Sequence, residues 1–301
     1  MQFSTLLLGA LAPLAALALP LEVEVDRRQS TATPYAVTDP TPYQDPARWS
    51  QAAYCYPAAG QVLNGANVLW ATGDGRDIPY VYVAYAPSSN TVVISHQGTN
   101  TSSLSSIEND IDAGLDAPGA YLTGCLPSNA QVHSGFQETF EATASGVYTN
   151  VVNALRAHPG AHVLVTGHSL GGAISVLDHA YLSCRLPSSG TSYSSLRSIV
   201  FGKPRAGDHV WANWVDSHLT TNHITNDDDI VPHLPPSGKD SNDYWQESGE
   251  IWINPRNSNS AVFCPGQENA NCARGVSIFD YSISAHLGTY FGVPINGRDS
   301  C

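Results

Sequence analysis

Ser169 stands in Gly167-His168-Ser169-Leu170-Gly171-Gly172, directly after the apolar run Val163-Leu164-Val165-Thr166. A serine between two glycines, after a strand-like run and before a helix-like one, fits a sharp strand-to-helix turn. Side chains at Gly167 and Gly171 would collide across that turn. The turn lifts the serine hydroxyl above the sheet, and the helix start behind it offers backbone N–H groups where negative charge develops. This is the arrangement of a serine nucleophile for acyl transfer.

A serine needs a base, and the base needs a carboxylate to orient it. Where the serine sits on such a turn, the acid and then the histidine follow it in the chain. The histidines after Ser169 are His179, His209, His218, His223, His233 and His286. His286, in Ser284-Ala285-His286-Leu287-Gly288, leaves room for a strand, an acid-bearing loop and a return. The candidate acids cluster in Asn226-Asp227-Asp228-Asp229-Ile230-Val231-Pro232, after the strand-like Thr220–Thr225. Chain order does not choose among the three adjacent aspartates.

The elements that must position these groups alternate. Tyr80–Ala86 and Thr91–Ser95 read as a strand hairpin around Pro87-Ser88-Ser89-Asn90. Ser134–His158 reads as a helix capped by Ser134, with Phe136, Phe140, Val147, Val151 and Leu155 near helical spacing. Ala161–Thr166 and Leu196–Phe201 read as buried strands, and Ser169–Cys184 and Gly207–His218 as helices. The expectation is an α/β single domain, with a mostly parallel central sheet and helices on both faces. Residues 1–18 read as a signal peptide with an apolar stretch from Leu6 to Leu19, which implies a secreted, extracellular protein. Residues 19–28, ending in Arg27-Arg28, read as a propeptide. Residues 29–48, rich in Thr and Pro, read as an extended arm, and residues 49–301 as the folded domain.

Composition narrows the partners. The 301 residues carry a net charge of −13, and Lys203 and Lys239 are the only lysines. That balance excludes nucleic acid, which needs clustered cations, and disfavours docking to anionic membranes. It leaves adsorption to a neutral lipid surface open. The pattern contains no transmembrane segment and calls for no metal or cofactor. The six cysteines show no C-x-x-C pair and suit disulfides in a secreted chain. Cys264–Cys272 reads as a local staple around Pro265, Gly266 and Asn269.

Seven ordered motifs resemble the filamentous-fungal class 3 lipases of the Thermomyces and Rhizomucor type. They are Ala52-Ala53-Tyr54-Cys55, His96-Gln97-Gly98-Thr99, Val132-His133-Ser134-Gly135-Phe136, Gly167 to Gly172, Gly202-Lys203-Pro204-Arg205, Asp229 to Pro236, and Ala285-His286-Leu287. The resemblance runs from about Trp49 to Cys301. It implies the α/β-hydrolase fold, with Ser169, Asp229 and His286 as catalytic triad and Thr99 and Leu170 as oxyanion hole. It also implies a Cys55–Cys301 disulfide, which with Cys264–Cys272 leaves Cys125 for Cys184.

A lid helix is expected over Thr101–Asp116, with Leu104, Ile107, Ile111 and Leu115 as its apolar stripe. Asp110 stands where the related Thermomyces-type lid carries tryptophan, which weakens insertion into oil and suits mono- and diacylglycerols. Asn100-Thr101-Ser102 is a glycosylation sequon beside Thr99. The implied function is that of a monomeric secreted serine hydrolase of acylglycerol esters, meeting its lipid substrate at an oil–water interface. Feruloyl or other small-ester hydrolysis is the rival within the class. An inactive hydrolase-fold binding protein is the rival outside it.

Overall fold

The runs rich in valine, isoleucine and tyrosine become neighbours in one ten-stranded sheet. The architecture is that of a computed structural model, which describes residues 29–99, 114–237 and 243–301. In chain order the sheet's strands are β1 (Tyr35–Ala36), β2 (Val62–Leu63), β3 (Ala66–Thr72), β4 (Val81–Ala86) and β5 (Thr91–His96). There follow β6 (Ala161–His168), β7 (Tyr193–Phe201), β8 (Thr221–Asn226), β9 (Glu250–Ile253) and β10 (Ala261–Cys264). Across the sheet they run β1-β10-β9-β8-β7-β6-β5-β4-β3-β2. From β5 to β9 all neighbours are parallel. The flanking pairs are antiparallel, including the expected β4–β5 hairpin.

Both faces are covered, as a parallel sheet requires. Along β6, Val163 and Val165 join an apolar cluster with Val147, Val151 and Leu155 of helix α2 (Ser134–Ala157) and Leu182 of α3 (Leu170–Arg185). Leu164, between them, joins a cluster with Ala47, Trp49 and Ala52 of helix α1 (Thr41–Ala52) on the other face. The continuous run thus feeds two cores, and each fully buried aliphatic chain contributes roughly 1.5–3 kcal/mol. Helix α4 (His209–His218) follows β7. A four-stranded sheet of Leu115–Asp116, Val132–His133, Gly207–Asp208 and Tyr244–Trp245 lies beside the main one.

Three local expectations are corrected. The arm is extended only as far as Pro40. Tyr35–Ala36 already pairs with Val262 and Phe263, and α1 begins at Thr41 with Pro42 in its first turn, where the missing N–H costs nothing. The cap of α2 is His133, whose Nδ1 accepts from the Phe136 N–H at 3.2 Å, because pairing of the His133 N–H to Ala206 O (2.9 Å) holds it there. Leu115 and Asp116 are strand, paired with His133 and Val132, so no lid helix reaches Asp116. Leu104, Ile107, Ile111 and Asn100 lie outside the described residues, as do residues 1–18 and 19–28.

Disulfides join Cys55 to Cys301, Cys125 to Cys184 and Cys264 to Cys272. Among the described residues no helix is long and apolar enough to cross a membrane.

Candidate active site

The strand register brings the sequence motifs to one edge. His96 stands opposite Gly167, His168 opposite Phe201, and Phe201 opposite Ile224. The residues just past the carboxyl ends of β5, β6, β7 and β8 are therefore neighbours: Gly98-Thr99, Ser169, Gly202 and Asp227 to Asp229. Ligand sites of open parallel sheets form at that edge.

Ser169 links β6 to α3 with φ 59° and ψ −133°. A serine in that region is strained, and the flanking structure holds it there: its N–H donates to Phe201 O and its carbonyl accepts from Gly172 N–H, both at 2.9 Å. Among the described residues the buried Ser169 Oγ has no hydrogen-bond partner, and neither has His286 Nε2. The other ring nitrogen, Nδ1, lies 2.9 Å from Asp229 Oδ2. Asp229 Oδ1 accepts from the Val231 N–H at 2.9 Å, and Tyr290 OH donates to Oδ2 at 3.3 Å.

The three aspartates have different partners. Asp228 pairs with the Arg256 guanidinium, and the Asp227 carboxylate accepts from the Arg256 N–H at 3.2 Å. Asp229 alone of the three reaches His286. His286 itself ends helix α5 (Ile283–His286). That helix is tied to β8 by Asn226, whose Nδ2 donates to Ala285 O at 2.9 Å.

Two glycines make the approach possible. A Cβ on Gly98 would lie 2.8 Å from Ser169 Cβ and 2.5 Å from His168 O, so Thr99 starts immediately beside the serine. Gly202 has φ +52°, and a Cβ there would lie 2.7 Å from His286 Nδ1 and 2.9 Å from Asp229 Oδ2. Below this edge His96 Nε2 meets the buried Asp178 at 2.5 Å, fixing the end of β5 to α3.

Sequence reasoning gave no role to His168, Tyr54 or Tyr290. His168 Nε2 donates to His286 O at 2.9 Å, its Nδ1 faces Tyr54 OH at 2.8 Å, and its ring stacks on His286 with centroids 4.3 Å apart. Burial first, and the neighbouring His286 second, hold His168 well below the usual histidine value. It is therefore a neutral brace. Tyr290 OH also donates to His286 O, at 3.2 Å. The signals for His168 and Tyr54 were a motif's variable position and an unassigned tyrosine in Ala52-Ala53-Tyr54-Cys55, while Tyr290 stands outside every motif.

The lysine and arginine of Gly202-Lys203-Pro204-Arg205 are committed to the scaffold. Lys203 Nζ pairs with Glu247 at 3.1 Å, and Arg205 holds Glu268 through Nε at 2.6 Å and Nη2 at 2.9 Å. Glu250, Cys264 and Cys272 converge in space, but both sulfurs are consumed in one disulfide and offer no thiolate.

A serine, a histidine and a buried carboxylate in this arrangement are equipped for acyl transfer. The family model for Lipase (class 3) matches residues 93–239. A secreted mono- and diacylglycerol lipase of Malassezia globosa is 32% identical over 275 residues, covering 90% of this chain and 86% of its own. The Lip2 lipase of Yarrowia lipolytica superposes with a TM-score of 0.74 at 23% identity, over 89% of this chain and 98% of that one. A triacylglycerol lipase described as having a serine-protease triad as its catalytic centre superposes with a TM-score of 0.71 at 27% identity, over 88% and 99%.

Proposed function

Since the chain belongs to the class 3 lipase family of carboxylic-ester hydrolases, we propose that it is a secreted lipase of mono- and diacylglycerols that works through Ser169, His286 and Asp229. The observation that carries the assignment is the buried 2.9 Å Asp229–His286 pair at the sheet edge where Ser169 stands with φ 59°. The preference for partial glycerides rests on the relatives, whose names specify mono- and diacylglycerol lipases, and on the charge at Asp110.

His286 Nε2 takes the Ser169 proton as Oγ attacks the ester carbonyl carbon. Asp229 accepts from Nδ1–H and stabilises the imidazolium. The carbonyl oxygen becomes an oxyanion, received by the backbone N–H groups of Thr99 and Leu170. Losing one such donor costs roughly 3–4 kcal/mol of barrier. The imidazolium returns its proton to the departing glyceride oxygen. Water, deprotonated by His286, then cleaves the acyl-enzyme to fatty acid and free Ser169. Leu104, Ile107 and Ile111 are proposed as the apolar stripe of a lid that opens on lipid, supported by their near-helical spacing.

A fluorophosphonate probe and emulsified glycerides test this together. The expected result is labelling at Ser169, and acid release from diacylglycerol faster than from triacylglycerol, both lost in Ser169→Ala. Labelling elsewhere sinks the nucleophile. Labelling of Ser169 with turnover of a soluble ester but of no glyceride moves the enzyme to feruloyl or other small esters.

A further inference from the structure

The segment that leads into the His286 helix carries a feature that hydrolysis of a soluble ester does not require. Ile278 and Phe279 form the tip of a turn closed by the Asp280 N–H donating to Ser277 O at 2.9 Å. Phe279 is 92% exposed and Ile278 68%, and Ile283, a little further on, is 39% exposed. Among the described residues no other large apolar side chain is as exposed as Phe279.

This tip is braced on both flanks. Upstream, Cys272 is bonded to Cys264, and the Gly275 and Val276 N–H groups donate to Cys272 O and Ala273 O at 2.9 Å each. Downstream, the Tyr281 ring stacks on His233 with centroids 4.2 Å apart, and the Ser282 N–H donates to Asp228 O at 2.8 Å. Ser282 is also bridged to Asp229. The backbone that holds the acid loop and the histidine helix together thus also holds two adjacent apolar side chains out into solvent. Phe279 precedes His286 by seven residues.

Charge narrows what the tip can meet. From Val276 to Ile283 the sole charged residue is Asp280, on a chain of net charge −13. Anionic lipid surfaces are bound through clustered Lys and Arg, and this segment has none. An uncharged or zwitterionic surface needs only apolar side chains to enter the boundary between headgroups and acyl chains.

We infer that Ile278 and Phe279 are a lipid-surface anchor that seats the enzyme on a neutral or zwitterionic acylglycerol-bearing surface beside its catalytic edge. This rests on the acylglycerol reading above, because such a substrate is presented at a surface. The anchor supplies residence at that surface and takes no part in the chemistry.

The test measures binding to phosphatidylcholine vesicles containing a minor fraction of diacylglycerol, in the Ser169→Ala background to prevent turnover. Ile278→Ser with Phe279→Ser should weaken binding on the order of a hundredfold, about tenfold for each side chain. In the Ser169 background the same pair should leave turnover of a soluble short-chain ester unchanged, which also shows that the variant folds. Unchanged vesicle affinity overturns the anchor. So does self-association of the native chain that the double variant abolishes, since a second copy would then cover the tip. Tighter binding to phosphatidylglycerol vesicles than to phosphatidylcholine overturns the choice of surface. Failure of the acylglycerol reading looks different: vesicle binding stays intact while detergent-dispersed diacylglycerol goes uncleaved.

Discussion

At the scale of single residues, Asp227, Asp228 and Asp229 are chemically identical and differ only in what they touch. Asp229 orients His286, whereas Asp228 holds Arg256 in a mostly buried pair. Asp229→Asn should lower kcat on a soluble ester by about ten-thousandfold, as loss of the orienting carboxylate does in serine hydrolases. Asp228→Asn breaks an ion pair that does not touch His286, so its cost falls on stability and it should change kcat by no more than about a few-fold. Equal losses in the two variants would undo the assignment of the acid. Chain order alone left this choice open, because the discriminating facts are contacts with Arg256 and His286, far along the sequence. Gly202 was illegible for the same reason. It was one member of a motif until the fold brought His286 Nδ1 and Asp229 Oδ2 within 3 Å of where its Cβ would be.

At the scale of elements, periodicity gave the strands and helices of the parallel centre, because a strand buried on both faces must be almost wholly apolar. It missed what tertiary pairing decides. Tyr35–Ala36 has no strand pattern of its own and becomes β1 because β10 offers an open edge. The disulfides act at this scale too. Cys55–Cys301 closes a separation of 246 residues and fixes the chain end against α1, where Gln51 Nε2 donates to Gly297 O at 2.6 Å. Cys264–Cys272 closes a separation of 8 residues. The loop-entropy model gives the long closure an advantage of roughly 3 kcal/mol. Replacing Cys55 and Cys301 by serine should therefore lower the unfolding free energy in urea by that much more than replacing Cys264 and Cys272. Equal losses would mean that local strain or packing, and not chain entropy, sets the contribution.

At the scale of the whole molecule, buried titratable groups make folding stability depend on pH from both sides. Burial holds His179 down at about 3 and His223 and His233 down at about 4. The unfolded chain protonates these groups near 6.5 and the native state does not, so stability is lost as pH falls below that value. Glu250 works in the opposite direction. Burial pushes its carboxyl up from 4.5 to about 8. Its contribution is fully present below 4.5, where both states are protonated, and is lost as pH rises from there to about 8. Glu250→Gln keeps the shape and removes the titration. Relative to the native chain, the variant should gain about 1.4 kcal/mol of unfolding free energy per pH unit across that interval, the worth of one proton. The difference should then become constant above pH 8. Urea unfolding of both proteins at intervals from pH 5 to 9 reads this directly. A difference that stays constant from pH 5 to 8 would show that Glu250 ionises in the folded protein at an ordinary pH.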